Sequence, residues 1–180
     1  MLRHMADPDR FAGARILESS FPGDTGEQSA AVGAALTAYA ADAESYPQAL
    51  AALQTSRLLV PVVALLGEVE YDDRGLAHDK SSDMAAVLMQ GRDGRMALLA
   101  FTGAAQLRAW NAEARPVPVP AQVAAQSAIQ DEAAALVVDI AGPVTLVVEG
   151  DDLLGIASGW TLAQVGERTL WVRPEGQPLE

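Results

Sequence analysis

The sequence predicts an α+β fold, a single domain of the α/β type in which a mixed β-sheet is covered by helices. A strand is predicted at 57–66, because residues 58–66 form an unbroken apolar run of strand length, which is typical of a strand buried on both faces. Two further apolar runs, 84–89 and 96–101, flank the dipeptide Asp93-Gly94, which favours a tight hairpin turn. Segments with helical spacing alternate with these runs, and such interleaving predicts helices packed on a sheet.

Two helices are predicted before the first strand. Ser29 and Ser45 are suitable N-cap residues, and Pro47 is tolerated in the first turn of the second helix. The apolar residues that should face the core recur at helical spacing: Val32, Leu36, Tyr39, Leu50 and Leu53. The following strand contains Pro61, which has no N–H to donate, so we expect it at an edge or a bulge of the sheet.

The second half of the chain predicts a similar alternation. Thr102 is expected to cap a short helix, 102–111, that packs on the sheet through Leu107 and Trp110. Residues 115–120 contain three prolines and should form an extended connector or an edge strand. A helix is predicted for 120–131, with an inward face made of Ala121, Ala125, Ala128 and Ile129.

The remaining elements follow from turn residues. Strands are predicted at 135–140 and 144–149 around a Gly142-Pro143 turn, and a last helix should begin after Gly150. An additional edge strand is expected at 168–173. All the strand runs from 57 to 149 are predicted to share one sheet.

Three segments are predicted along the chain. Residues 1–28 lack periodicity and are rich in turn residues, so we expect a flexible N-terminal arm that either docks partly on the domain or binds a partner. Residues 29–173 should form the domain, and residues 174–180 a C-terminal tail.

Composition excludes several classes of function. Twelve basic residues against 24 acidic ones give a net charge of −12, which disfavours nucleic acids and anionic membrane surfaces as partners. The absence of cysteine excludes disulfides, thiolate metal sites and cysteine nucleophiles. The N-terminus has no apolar segment of a secretory signal, and no apolar run approaches the ~20 residues of a membrane helix. We therefore expect a cytoplasmic protein.

The polar segment 78–83 is the strongest candidate for catalysis, and it is a weak one. His78, Ser81, Ser82 and Asp83 are the residue types of a hydrolase, but a catalytic triad converges from distant segments. Lys80 would have to lose its proton to activate a serine, which the surrounding acidic residues oppose. The carboxylates of 68–83 match no metal-binding loop. We predict no catalytic residues, no metal site and no cofactor.

The same loop is the predicted partner-binding surface. Residues 68–83 carry six acidic side chains against Arg74 and Lys80, which is −4 of the net charge of −12. Concentrated charge steers association with a basic protein surface. The residues predicted to contact the partner are Asp72, Asp73, Asp79, Lys80, Ser81 and Asp83. The alternative is a loop whose charge serves solubility alone, and Trp160 and Trp171 are further candidates for an interface.

Five segments in order carry a family resemblance: LLVPVVALLGEVE (58–70), HDKSSDMAAV (78–87), ALLAFTGAAQLRAW (97–110), RPVPVP (115–120) and ALVVDIAGPV (135–144). In their order and spacing they resemble the N-terminal domain of the family named after the enhanced serine sensitivity protein SseB, in particular its actinobacterial branch. The resemblance implies a cytoplasmic α/β or α+β domain with no assigned catalytic activity. It supplies no catalytic residues for this chain.

Two functions remain open from the sequence. The first is a non-enzymatic protein-interaction or adaptor domain, favoured by the acidity, the missing catalytic sets and the resemblance. The alternative is a regulatory protein that binds a small molecule or an amino acid. A homodimer is compatible with either function.

Overall fold

The computed structural model describes residues 21, 23–65, 70–71, 77–78, 83–166 and 168–174, with backbone alone at 63–65, 70–71, 77–78 and 83–85. The helices in this part of the chain are α1 (Ala30–Ala41), α2 (Tyr46–Gln54), α3 (Ala104–Trp110), α4 (Ala121–Gln130) and α5 (Gly150–Ala157). A short 3₁₀ turn, Ala43–Ser45, precedes α2. Ser29 and Ser45 are at the predicted N-cap positions, although neither side chain bonds to a helix N–H.

The strands in the same part of the chain are β1 (Arg57–Leu65), β2 (Glu70–Tyr71), β3 (Ala77–His78), β4 (Asp83–Ala86), β5 (Leu88–Gln90), β6 (Met96–Ala100), β7 (Arg115–Pro120), β8 (Ala135–Val138), β9 (Leu146–Glu149), β10 (Thr161–Val165) and β11 (Arg168–Val172). Only β6 and β8 pair in parallel; the other described pairs are antiparallel. The mixed sheet covered by helices is therefore confirmed. Asp93-Gly94 turns the chain between β5 and β6, with Gly94 at a φ of +83°.

The predicted single sheet consists of two ladders, β4-β1-β7 and β5-β6-β8-β9. They are joined where Leu59 and Phe101 exchange backbone hydrogen bonds of 2.7 and 2.9 Å. The predicted strand 84–89 is interrupted at Val87, whose N–H donates to the Pro61 carbonyl at 3.1 Å while its own carbonyl accepts from Leu99 N–H at 3.2 Å. Val87 thus links β1 in one ladder to β6 in the other.

Pro61 explains this junction. In an antiparallel hydrogen-bonded pair each residue donates to and accepts from the other, and Pro61 can accept from Val87 but cannot donate back. The Val87 carbonyl is therefore free to accept from Leu99. The sequence predicted Pro61 at an outer edge or a bulge of the sheet, and that prediction is wrong. Pro61 is inside the sheet, at the point where β4 and β6 diverge beside β1.

The prolines of β7 follow the same principle. Leu59 uses both backbone polar groups on Phe101, so its pairing with Pro118 in β7 is a pair without backbone hydrogen bonds. Pro116 and Pro120 are two residues away on either side, and their nitrogens point to the same free edge. The segment RPVPVP thus pairs with β1 through the residues between its prolines. The prolines have no N–H to present on the outer edge, which discourages pairing with a further strand.

The core has two parts, one on each side of the sheet. On one side, buried residues of α1, α2, α4 and α5 pack on alternate residues of the strands, among them Leu58, Leu98 and Leu136. On the other side, Leu107 and Trp110 of α3 pack with Phe101, Leu99 and other strand residues. The predicted inward face of α4 is confirmed at its alanines but wrong at Ile129, whose side chain is 43% exposed. Ala124 occupies the inward position instead.

The end of the chain differs from the prediction. A single edge strand was expected at 168–173, but β11 pairs with β10 in a separate hairpin that shares no described ladder with the main sheet. The hairpin packs on α5 through Leu162 and Trp171. None of the helices that the structure describes is both long and apolar enough to span a bilayer.

Trp110 provides a test of the smaller core. Its ring centroid lies 5.5 Å from that of Phe101, and the side chain is partly buried against the sheet. Trp110→Ala should lower the free energy of unfolding by about 2–3 kcal/mol, somewhat less than for a fully buried tryptophan. Urea unfolding measures this, with Arg108→Ala on the exposed side of the same helix as a control expected within about 0.5 kcal/mol of wild type. Equal stability of the two variants would contradict the packing role.

Candidate functional site

The predicted partner-binding loop lies almost wholly outside the described residues. Asp72, Asp73, Asp79, Lys80 and Ser81 belong to the part of the chain that the structure does not describe. Asp83 is the first residue of β4, where its backbone is opposite Leu65 of β1. The acidic loop therefore stays a prediction from the sequence.

The catalytic and metal readings find no support in the described residues. His78 is in β3, opposite Glu70, and only its backbone is described. Within the described side chains, no group of three or more histidines and carboxylates is arranged to hold a metal ion.

The most exposed apolar surface in the described chain is the outer face of the β10–β11 hairpin. The register places Val165, Leu170 and Val172 on one face, because Leu170 is opposite Ala163 and strand side chains alternate. Their side chains are 60%, 41% and 43% exposed. Single exposed apolar residues are ordinary, whereas three on one face of a two-stranded ribbon form a contiguous patch typical of an interaction site.

The inner face of the hairpin explains why the outer face stays in solvent. The Trp171 indole lies directly on Gly155 of α5, where an added Cβ would stand 2.4 Å from the ring. Its Nε1 donates to Asp152 Oδ1 at 2.8 Å, and the Tyr46 hydroxyl donates to Asp152 Oδ2 at 3.0 Å. Burial, followed by the Asp152 charge, raises the pKa of Tyr46, so its hydroxyl remains a donor. Trp171, a predicted interface residue, is an anchor.

Trp160, the second predicted interface tryptophan, is at the base of the hairpin. Its carbonyl accepts a hydrogen bond from Gln54 Nε2 of α2, and the guanidinium of Arg173 lies 4.6 Å from its ring centroid. The side chain is partly buried. Both tryptophans thus fix the hairpin to the domain and leave the aliphatic face exposed to solvent.

A buried polar network forms at the carboxyl ends of the parallel strands β6 and β8. Thr102 follows β6 and Asp139 follows β8, and both are buried. Asp139 Oδ1 accepts from the Thr102 N–H at 2.8 Å, and Asp139 Oδ2 accepts from its hydroxyl at 2.5 Å. Thr102 was predicted to cap α3, but Gly103 is the N-cap and the Thr102 side chain bonds to Asp139 instead.

The network fastens the end of the predicted arm to the domain. Gln28 Nε2 donates to Thr102 Oγ1 at 2.6 Å, while Arg57 donates to the Thr102 carbonyl at 3.0 Å. Arg57 also donates to Asp24 Oδ1 and to the Glu27 carbonyl, both at 2.8 Å. Residues 24–28 therefore occupy the position outside the carboxyl ends of parallel strands where many α/β proteins bind ligands. The arm boundary itself stays a prediction, because residues 1–20 lie outside the described chain.

Asp139 is a structural carboxylate. Its backbone has a φ of +56°, a left-handed conformation that aspartate tolerates better than most residues. Its carbonyl accepts from Gly142 N–H at 2.8 Å and from the Thr145 hydroxyl at 3.2 Å. Burial raises the pKa of Asp139, and the two hydrogen bonds from Thr102 oppose that rise in part. No local sequence pattern indicates this role, because Thr102, the hydrogen-bond partner of Asp139, is 37 residues away.

A second surface feature is an apolar groove beside the carboxyl end of α4. Its apolar walls come from β1, β4, β5 and β7, and its polar end is formed by Ser127, Gln130 and Asp131. The volume is about 500 Å³, within the range of about 300–1,000 Å³ that is usual for small-molecule sites.

A comparison with models of protein families identifies the family of this chain. The model of the SseB protein N-terminal domain matches residues 32–154, about two thirds of the sequence. The chain belongs to the SseB N-terminal domain family. Neither the search of curated proteins nor the search of solved structures found a match.

The family match covers the SseB-type domain from α1 into α5. It includes the Val87 junction, the Thr102–Asp139 pair and the groove beside α4. The hairpin β10–β11 follows the matched region, so its exposed apolar face lies outside the part of the chain that the family model matches.

Asp139 makes the stability of the SseB-type domain depend on pH. Its folded-state pKa lies above its unfolded value of roughly 3.9, so the folded state holds the proton more tightly. This group's contribution to stability is greatest below the unfolded pKa, falls as pH rises through the interval between the two pKa values, and is constant above the folded one. Asp139→Asn keeps the shape and tolerates the left-handed backbone, and it should remove this component. Urea unfolding from pH 4 to pH 7 measures it.

The control for this measurement is Asp93→Asn, at an exposed carboxylate whose pKa is lowered by its hydrogen bond from Arg95. In that variant the free energy of unfolding should still decrease as pH rises, because Asp139 is unchanged. An unchanged pH profile in Asp139→Asn would show that Asp139 is not the group that titrates.

Proposed function

We propose that this SseB-type domain is a non-enzymatic protein-interaction or adaptor domain that works in the cytoplasm. The observation that carries the proposal is the outer face of the β10–β11 hairpin, where Val165, Leu170 and Val172 are exposed together. A hairpin anchored through Trp171 and Gly155 presents this face in a fixed orientation, which lowers the entropy lost on binding.

Charge supports a partner with a basic surface. The net charge of −12 attracts basic proteins over long range and raises their association rate at low salt. Residues 161–173 carry Arg168 and Arg173 against Glu167, so this segment adds no net negative charge and its outer face is mainly apolar. We propose that the acidic loop steers the partner and that the hairpin supplies apolar contact. A second copy of the chain is the alternative occupant.

A small-molecule-binding regulator is the second candidate, and the groove beside α4 is the observation in its favour. The proposed assignment to the actinobacterial branch of the family rests on the resemblance of the five sequence segments. Eleven arginines against one lysine and an abundance of alanine are consistent with a genome of strong base bias.

The hairpin surface is tested by the double variant Val165→Ser/Leu170→Ser. Both side chains are exposed, so the free energy of unfolding should change by no more than about 0.5–1 kcal/mol. Affinity capture with wild type should yield a stoichiometric partner, and the variant should bind that partner at least tenfold more weakly, by titration calorimetry. Leu154→Ser, at an exposed leucine on α5, is the matched control and should bind as wild type. Equal affinity of the double variant and the control would overturn the hairpin as the interface.

Sedimentation velocity on the same proteins distinguishes the second copy from a different partner. If the occupant is a second copy, wild type sediments as a dimer and the hairpin variant as a monomer.

The acidic loop is tested separately by replacing Asp72, Asp73 and Asp79 with Asn, which removes charge while nearly preserving shape. The association rate with the captured partner should fall, and its dependence on salt concentration should weaken, because steering acts on the encounter. Stopped-flow mixing at low and high salt measures both quantities. If the rate and its salt dependence match those of wild type, the loop is a solvated surface without a part in binding.

A further inference from the structure

The groove beside α4 is built by two kinds of residue. Its walls are aliphatic side chains of neighbouring strands: Val60, Val62, Ala86, Leu88, Val117 and Val119. Val60 is buried, and the other wall residues are partly exposed, so the groove opens to solvent. A volume of about 500 Å³ accommodates a ligand with a short aliphatic or aromatic body.

The polar end of the groove has unused hydrogen-bonding capacity. Ser127, Gln130 and Asp131 come from the last turn and C-cap of α4. Within the described chain, no hydrogen bond or ion pair involves their side chains, and the Asp131 carboxylate is exposed. Polar groups that converge at one end of an apolar groove orient a ligand rather than stabilise the fold.

The polar end is also electronegative for two independent reasons. Asp131 contributes a full negative charge, and the carboxyl end of a ten-residue helix contributes the negative end of its macrodipole. No arginine or lysine is among the described residues that line the groove. The site therefore favours a cationic group next to α4 and offers an anion no basic side chain among the described lining residues.

From these observations we propose that the groove binds a primary amine as its ammonium ion, with a short aliphatic or aromatic body lying on the valines of β1 and β7. The ammonium donates hydrogen bonds to Asp131 and to the Gln130 side-chain oxygen, both at the end of α4. The apolar body displaces water from Val117 and Val119.

The charge pattern also selects among ligands. A free amino acid has the ammonium group that the groove accepts, but its carboxylate would have no basic partner among the described lining residues. An amine without a carboxylate should therefore bind better than the corresponding amino acid. This inference narrows the small-molecule alternative and is independent of the protein-interaction proposal, because its test uses no partner.

The experiment is a titration of the ¹⁵N-labelled full chain with n-hexylamine, followed by amide chemical shifts. Hexanoate and hexan-1-ol have the same body with a negative or neutral head, and leucine carries the additional carboxylate. Hexylamine should shift amides of Val117, Val119, Gln130 and Asp131 in a saturable way and bind at least threefold more tightly than each of the three probes. Equal binding of hexylamine and hexan-1-ol would overturn the charge preference and with it the proposal. No saturable shift at the groove would overturn it directly.

Two variants complete the test. Asp131→Asn should weaken hexylamine about two- to fivefold, the range expected for an exposed ion pair, and leave hexan-1-ol unchanged. Asp151→Asn, at an exposed carboxylate in the first turn of α5, is the matched control and should leave both unchanged. Val117→Phe on the edge strand β7 should fill the groove and abolish binding, while the amide spectrum elsewhere shows the fold retained. Wild-type affinity in both Asp131→Asn and Val117→Phe would refute the site.

Discussion

The absent N–H of Pro61 is the constraint on which the sheet depends. Because Pro61 accepts from Val87 and cannot donate to it, the Val87 carbonyl is available to Leu99, and β6 joins the same strand edge as β1. The ends of β1 and β6 then pair with each other through Leu59 and Phe101. An ordinary residue at this position would favour a regular β1–β4 ladder. The joined ladders provide a continuous surface on which α4 packs, since α4 contacts β1, β6, β7 and β8.

A second constraint acts at the carboxyl ends of the parallel strands β6 and β8. Thr102 and Asp139 join the segments that follow β6 and β8 inside the protein, where each polar group needs a partner. Arg57 and Gln28 extend this network to residues 24–28, and a Cβ on Gly103 would stand 2.9 Å from the Gln28 backbone nitrogen. The close approach of that segment fills the end of the sheet.

Local patterns in the sequence predicted most of the fold. Apolar runs located β1 and β6, and Asp93-Gly94 located the hairpin that joins β5 to β6. Helical spacing placed Leu50, Leu53 and Leu107 in the core. These features depend on interactions between residues near in sequence. The interruption at Val87 could not be predicted in this way, because it depends on a proline 26 positions earlier and on Leu99 in another strand.

The errors have similar causes. Ile129 fits the apolar period of α4, but the helix turns Ala124 rather than Ile129 toward the sheet, because small side chains allow close packing. No strand was predicted at the position of β10, because only 168–173 was expected to form a strand after the last helix. Trp171 is an anchor rather than an interface residue, since its partners Gly155 and Asp152 belong to a helix that the sequence could not place beside it. The candidate groove has no sequence signal, because its walls come from separate strands.

The distribution of charge explains how the apolar hairpin face and the groove beside α4 can coexist on one small acidic protein. Like charges oppose the association of copies of the protein, which counteracts non-specific contact through the few exposed aliphatic residues of the hairpin. The proposed basic partner would experience the opposite force, and the apolar face would then contribute at short range, where water is excluded. At the groove the same acidity acts locally through Asp131 and the end of α4, where it selects a cation of small size. Net charge thus favours basic molecules in general, and the shape of each surface determines whether a protein or a small amine can use it.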